Sequence, residues 1–183
     1  MAELLRVQGY AATGIKQVAD AAGAPIGSVY HHFKGGKAEI AARALRESGA
    51  AYIELLPLLL DPHDDLVAGL EASFAAAAED LEVTGWANLC PVGSVAAEVA
   101  DSEPALRRVA EEVVTAWHEQ LAAYFVGRGL AEDDARSLGE ALLSALEGAF
   151  VLGRVQRSRA PLLAAGRAVA AYASTLPVGA RTR

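Results

Sequence analysis

The fold is decided within Gly9–Ile40, where the chain reads GYAATGIKQVADAAGAPIGSVYHHFKGGKAEI. In the first half of this stretch, apolar residues recur three, four and seven positions apart, which predicts one buried face of a short helix. These residues are Ile15, Val18, Ala19 and Ala22. Gly23 ends that helix, and Pro25 opens the next one, in the first turn where a missing N–H costs little. Two short helices joined by a glycine-containing turn are typical of a helix-turn-helix, here Ile15 to Phe33.

The second of these helices carries a polar outer face. Val29 and Phe33 lie four residues apart and are expected to point inward, while Gly27 allows another backbone to approach closely. The side chains left to point outward, and the basic residues that follow them, are Ser28, Tyr30, His31, His32, Lys34 and Lys37. Groups of this kind contact phosphates and base edges, although they also occur on the surface of an ordinary small helical bundle.

The charge of the chain is unevenly distributed. The formal net charge is −7, which taken alone argues against a nucleic-acid partner. Residues 1–50, however, hold six basic and four acidic side chains, a local +2, whereas residues 51–183 hold ten basic and nineteen acidic ones, a local −9. Because charges are screened over about 8–10 Å, a basic head on an acidic body can still bind a polyanion.

The remainder of the sequence is predicted to be helical. Alanine, leucine and glutamate dominate it, and strand-like alternation of β-branched residues is absent. Helices are expected at residues 2–8, 37–60 with a kink or end at Pro57, 64–81, 91–100, 103–128, 133–157 and 161–176. No window approaches the run of about eighteen apolar residues that a membrane span needs, so no membrane partner is expected. The lone cysteine, Cys90, cannot form an internal disulfide, and the first residues do not read as a signal peptide, which together fit a cytoplasmic protein.

The stretch from residue 9 to residue 40 resembles the DNA-binding domain of the TetR family of bacterial regulators. The matching elements, in the family's order and spacing, are Gly9-Tyr10, Thr13, Ile15, Val18-Ala19, Ala22-Gly23, Gly27-Ser28, Tyr30, Phe33 and Lys37. The turn Gly35-Gly36-Lys37, with NLCPVGSVAAEVA at residues 88–100, is similar to the multidrug-type repressors related to the lincomycin-resistance repressor. Beyond these segments the resemblance extends only to an all-helical pattern.

The chain departs from the family pattern at two places. Family members commonly carry a basic or polar residue where Ile26 stands, which removes one expected phosphate contact. The first helix is also shorter than usual and lacks a preceding basic arm, so it is expected to be truncated, with the natural reading frame beginning upstream of Met1.

The resemblance implies an all-α homodimer with an N-terminal three-helix DNA-binding domain at residues 1–48. Residues 49–183 would form a helical ligand-binding and dimerisation domain. The protein would be a repressor that leaves a double-stranded DNA operator when a small hydrophobic effector binds, with no cofactor or metal. The candidate DNA-binding residues are Thr13, Lys16, Gln17, Gly27, Ser28, Tyr30, His31, His32, Lys34 and Lys37. Among them Thr13 would lie close to the DNA backbone, and Tyr30, Lys34 and Lys37 would contact phosphates.

Two sets of residues in the helical body are candidates for ligand binding and dimerisation, and each set could equally be subunit core. Bulky or polar side chains of the middle region could line a cavity: Tyr52, Phe74, Trp86, Cys90, Trp117, His118, Phe125 and Phe150. Stripes of small and apolar residues along the last two helices could pair two subunits: Leu138, Leu142, Ala145, Ala149 and Leu152, then Leu162, Gly166, Val169, Ala170 and Ala173.

Two other classes of function compete with a DNA-binding regulator. An enzyme is disfavoured because the sequence contains no nucleophile elbow, phosphate-binding glycine loop or zinc-ligand spacing, so no catalytic residue is predicted. The adjacent His31 and His32 point to different helix faces and make a poor metal pair. A helical protein-interaction adaptor without DNA binding is the stronger rival, and binding to DNA would discriminate between the two.

Overall fold

The computed structural model describes residues 1–179, which form ten α-helices and no β-strand. The helices are α1 (Ala2–Gln8), α2 (Ile15–Ala21), α3 (Ile26–His32), α4 (Gly36–Ile53), α5 (Leu55–Leu60), α6 (Leu66–Val83), α7 (Pro91–Val99), α8 (Pro104–Gly127), α9 (Glu132–Gln156) and α10 (Ala160–Ser174). The predicted all-α class is confirmed, and the predicted helices differ from the observed ones mainly at their ends.

The long helix expected from residue 37 to about residue 60 is two helices. The first ends at Ile53, and the second begins at Leu55. Pro57 has no N–H to donate to the carbonyl of Ile53, four residues before it, and its ring crowds that carbonyl. The helix therefore stops at the residue whose hydrogen-bond partner the proline removes.

The helices group into two compact units. The first unit comprises Met1–Ala51 and Leu89–Val114, so it contains α1 to α3, most of α4, α7 and the beginning of α8. The second unit comprises Tyr52–Asn88 and the described residues from Thr115 onward. This grouping differs from the expected boundary after residue 48, because α7 and the start of α8 pack with the N-terminal helices. The assignment of residues 1–48 and 49–183 as functional domains stays a prediction.

A small core in the first unit packs α2 against α3. Its buried members are Val18, Ala19, Val29 and Ile40, with Ile15 and Phe33 half-buried beside them. Ala22, which the spacing placed on this buried face, is exposed instead, because α2 ends at Ala21 and Ala22 already belongs to the turn. Gly23 has a φ of 60°, a left-handed conformation that favours glycine and turns the chain towards α3.

The second unit has the larger core, and α6 and α10 approach each other closely in it. A Cβ placed on Gly166 would lie 2.6 Å from the Cβ of Phe74, so only glycine lets the helices meet at this point. The other residues of the predicted α10 dimer stripe are also buried here: Leu162, Val169, Ala170 and Ala173. This stripe is therefore subunit core, and its assignment to a dimer interface was wrong.

The predicted stripe on α9 is divided between core and surface. Leu138, Leu142 and Ala149 belong to the core of the second unit, and Ala149 is only 4 % exposed. Leu152, one turn further along α9, is 52 % exposed. The spacing alone did not separate these residues because the helix has apolar side chains on more than one face.

Replacing Gly166 with alanine is expected to destabilise the protein by about 1–3 kcal/mol, because the new methyl group has to displace a phenylalanine at the root of its side chain. Chemical unfolding at a fixed protein concentration measures this loss. Gly127→Ala is the matched control, since a Cβ there would meet no atom within 4 Å. Equal stabilities of the two variants would contradict the close approach of α6 and α10.

Candidate nucleic-acid interface

Helix α3 places its polar side chains in solvent. Val29 is buried in the core of the first unit, which fixes the rotation of the helix about its axis. Tyr30 is 51 % exposed, and His31, His32 and Lys34 are exposed beside it. Ser28 is half-buried, and a Cβ on Gly27 would meet no atom within 4 Å. The structure thus places these six predicted residues together, on α3 and the turn after it.

The two predicted residues of α2, Lys16 and Gln17, are also exposed, but Gln17 has a structural task. Its Oε1 atom accepts a hydrogen bond from the backbone N–H of Gly14 at 2.9 Å, and another from the Nε2 group of Gln8 at 3.2 Å. These bonds define the first turn of α2 and tie it to the end of α1. Gln17 is accordingly part of the scaffold as well as of the exposed surface.

Thr13 does not reach this surface. The residue is fully buried, and its hydroxyl donates to the carbonyl of Gly9 at 2.6 Å. The expected position close to the DNA backbone is therefore corrected to a structural position inside the α1–α2 connection. The sequence placed Thr13 correctly at the start of α2 but did not reveal which way its hydroxyl points.

Lys37 lies in the first turn of α4, as the sequence predicts, with its ammonium group turned towards the α1–α2 connection. Its Nζ atom lies 4.0 Å from the centre of the Tyr10 ring and 3.5 Å from the carbonyl oxygen of Ala11. Burial, followed by the negative charges of Glu103 and Glu98, raises the pKa of the Tyr10 hydroxyl above its usual value. The phenol therefore stays neutral at physiological pH, and its ring can hold the lysine by a cation–π contact.

Two further residues of the first unit were not among the candidate DNA-binding residues. Ile26, the first residue of α3, is 44 % exposed, and an exposed apolar side chain at this position can contact a thymine methyl group in the major groove. Glu98 of α7 accepts hydrogen bonds from the backbone N–H groups of Tyr10 and Ala11. No local pattern announces this contact, because it joins residues 88 positions apart.

The predicted ligand-binding residues differ in burial and are divided between the two units. Phe74 and Phe125 are fully packed in the core of the second unit, where Phe74 lies against Gly166. Trp117 is buried too, whereas four others are half-buried: Tyr52, Trp86, His118 and Phe150. Cys90 belongs to the first unit, where its sulfur accepts a hydrogen bond from the N–H of Gly93 at the start of α7.

An open groove in the second unit, with a volume of about 410 Å³, lies elsewhere. It is lined by Asp64, Asp65, Leu66, Val67, Arg128, Ala173, Ser174, Leu176 and Val178. None of the predicted ligand-binding residues lines it. The Arg128 guanidinium is committed to the surrounding loop, since it donates to the carbonyl oxygens of Leu60, His63 and Asp64.

Residues 1–179 also bear on metal binding and membrane insertion. They contain no group of three or more histidine, cysteine or acidic side chains placed to hold a metal ion. No helix among them is both long enough and apolar enough to cross a bilayer.

Two protein-family models match the chain. One, described as "Bacterial regulatory proteins, tetR family", matches residues 2–44, which contain the helix-turn-helix. The other, described as "Transcriptional regulator LmrA/YxaF-like, C-terminal domain", matches residues 67–168. The two matches follow one another along the chain without overlapping, and the residues between them include α5.

Similar proteins agree with these matches over most of the chain. The HTH-type transcriptional regulator YxaF of Bacillus subtilis is 33 % identical over 160 residues, which cover 87 % of this chain and 84 % of YxaF. The regulator LmrA of the same organism is 28 % identical and covers the two chains to 87 % and 85 %. A crystal structure of a regulatory protein TetR from Rhodobacter sphaeroides is 25 % identical, with a TM-score of 0.79 and 93 % of each chain covered.

The different burial of Lys34 and Thr13 leads to a test of their roles. Lys34→Ala is expected to weaken binding to every duplex and to reduce the salt dependence by about one counterion, because one phosphate contact is lost. Thr13→Val is expected to cost about 1 kcal/mol of folding stability, because the Gly9 carbonyl loses its donor, and to leave the salt dependence unchanged. Gel shifts over a salt series, with unfolding curves, measure both. A reduced salt slope in Thr13→Val would restore that residue to the DNA contacts.

Proposed function

The chain belongs to the TetR family of DNA-binding transcription regulators, in its LmrA/YxaF-like subgroup, and we propose that it is a homodimeric repressor that releases its operator when a small hydrophobic ligand binds. The observation that carries this proposal is the combination of an exposed, polar α3 with an exposed apolar face on α9. The first feature suits DNA, and the second suits another copy of the chain. Because family membership makes DNA the partner, the alternative of an adaptor without DNA binding is set aside.

In the proposed complex, α3 enters the major groove and reads the operator, as recognition helices do. Ser28 and His31 would contact bases, and Tyr30 and Lys34 would contact phosphates. The remaining candidates would lie near the backbone: Lys16, Gln17, Gly27, His32 and Lys37. A regulator of this kind has to act where the bacterial DNA lies, so we propose that it works in the cytoplasm.

A second copy of the chain is the proposed occupant of the outer faces of α9 and α10. On α9, Val151 and Leu152 are about half exposed and Val155 is 77 % exposed, all on one side of the helix. A Cβ on Gly148, on the same side, would meet no atom within 4 Å, which leaves room for a neighbouring helix. On α10 one row of exposed residues is small, Ala164, Ala168 and Ala171, and the exposed Thr175 follows directly after the helix. Since α9 and α10 pack against each other within the unit, these faces lie on neighbouring helices, as a four-helix interface between two subunits requires.

The proposed ligand site lies at the edge of the second unit's core. The half-buried apolar side chains there include Trp86, Leu146 and Phe150, which pack on the core without being enclosed by it. Side chains of this kind can give up contacts with each other and contact a hydrophobic ligand instead. A ligand that binds more tightly to the conformation unable to bind DNA then shifts the population away from the DNA-binding conformation. Metal ions and cofactors have no part in this proposal.

Leu152→Lys is expected to abolish the dimer, because each copy would bury an unpaired ammonium group in the interface. Sedimentation would then show a folded monomer, with operator affinity strongly reduced. Val83→Lys is the matched control, because it places the same charge at an equally apolar, 79 % exposed position on α6 of the same unit. A Leu152→Lys protein that stays a dimer would mean that the subunits pair through another surface.

Compounds that bind the repressor are expected to release it from DNA. A library of small hydrophobic compounds is screened for those that raise the thermal midpoint, and each hit is added to the complex with the DNA upstream of the protein's own gene. By linkage, a hit should weaken DNA affinity by the same factor by which DNA weakens binding of the hit. Binding of a hit with unchanged DNA affinity, for all hits, would contradict the proposed mechanism.

A further inference from the structure

We infer that Glu98 is a positioning residue for DNA binding: through its carboxylate, α7 sets the orientation of the α1–α2 connection and, with it, of the helix-turn-helix. The inference rests on the proposed function, because its test uses the two helix-turn-helix segments of a dimer on one operator. Each of these segments, α1 to α3 with their connections, is called a reading head here. It assigns a role to an exposed side chain of α7 that is not among the candidate DNA-binding residues.

The Glu98 carboxylate grips the backbone directly after α1. Its Oε2 atom accepts from the N–H of Tyr10 at 2.7 Å, and its Oε1 atom accepts from the N–H of Ala11 at 2.5 Å. Both oxygens are therefore used on two successive amides, an arrangement that fixes the direction of the chain as well as its distance. Bonds from N–H groups to an ionised carboxylate are shorter and stronger than those to neutral acceptors.

The sequence of the α1–α2 connection is suited to these two hydrogen bonds. Gly9 has a φ of +79°, which favours glycine, and a Cβ there would lie 2.8 Å from Oε2 of Glu98. Any other residue at position 9 would thus strain the backbone and push the carboxylate away. The backbone carbonyl of Gly9 is also held, by the hydroxyl of Thr13.

Helix α4 holds the same connection from its own side. Lys37 lies over the ring of Tyr10, and its Nζ atom reaches the carbonyl of Ala11. The two residues whose amides Glu98 binds are consequently the two that Lys37 contacts. With α7 and α4 both attached to it, the short segment between α1 and α2 cannot change direction without breaking one of these contacts.

A dimer reads two half-sites at a fixed distance, so a loosened head should tolerate altered spacing. The probe is the duplex that the wild-type protein selects from a random library, with no, one or two base pairs inserted at its centre. Each inserted pair turns one half-site by about 35° relative to the other. We expect the wild-type protein to lose affinity steeply with each insertion. Glu98→Gln should bind the parent duplex with a few-fold lower affinity than the wild type. Each insertion should then lower the affinity of Glu98→Gln clearly less than that of the wild type, because its reading heads can reorient.

Two further variants control for poor folding and for the loss of a carboxylate charge. Glu98→Asp retains the charge but is one methylene too short, so it should show the same flattened spacing profile even where Glu98→Gln folds poorly. Glu112→Gln is the matched control: it removes an exposed carboxylate of the same unit, ion-paired with Arg46 at 2.7 Å, and should keep the wild-type profile. Hydrogen exchange at the amides of Tyr10 and Ala11 should quicken in both Glu98 variants only.

These measurements distinguish a failure of the positioning role of Glu98 from a failure of the proposed dimeric repressor. A steep wild-type profile with an equally steep profile in the Glu98 variants overturns the positioning role, and so does a uniform loss of affinity at every spacing. A wild-type protein indifferent to spacing contradicts the proposed dimer, and the inference falls with it.

Discussion

The reading head depends on contacts outside its own helices. Each of α1, α2 and α3 has only seven residues, and isolated helices need about 12–15 residues to be even marginally stable in water. Their shape therefore comes from packing and from hydrogen bonds to other segments. Val29 fixes the rotation of α3, Thr13 closes the connection behind α1, and Glu98 and Lys37 hold it from two other helices.

Features with a local cause could be predicted from the sequence. The helix-turn-helix follows from apolar spacing and from a glycine and a proline at the positions that end one helix and begin the next. The exposed face of α3 follows from the inward pair Val29 and Phe33, since the rotation of a helix settles which of its residues meet solvent. Even the division near Pro57 was expected, because the missing N–H acts on a residue only four positions away.

Features that depend on tertiary packing could not be predicted in the same way. Ala149 and Leu152 lie three residues apart on α9, yet one is core and the other surface, because a helix with apolar residues on two faces does not reveal which face its own subunit covers. Thr13 lies close to the DNA backbone in the implied pattern, whereas in the fold it is buried and donates to the backbone carbonyl of Gly9. Glu98 has no signal in the local sequence, since its partners lie 88 and 87 residues away.

The position of α7 bears on the proposed response to a ligand. The LmrA/YxaF-like family match begins at residue 67 and includes α7, whereas packing places α7 in the same unit as the helix-turn-helix. The segment 89–114 is continuous at both ends with residues of the second unit, and at its C-terminal end the continuity is the uninterrupted helix α8. A ligand can shift a conformational equilibrium only as far as it prefers one state. In the proposed ligand-responsive repressor, residues 89–114 would carry such a preference to the helix-turn-helix, because they continue into the second unit and Glu98 within them is hydrogen-bonded to the α1–α2 connection.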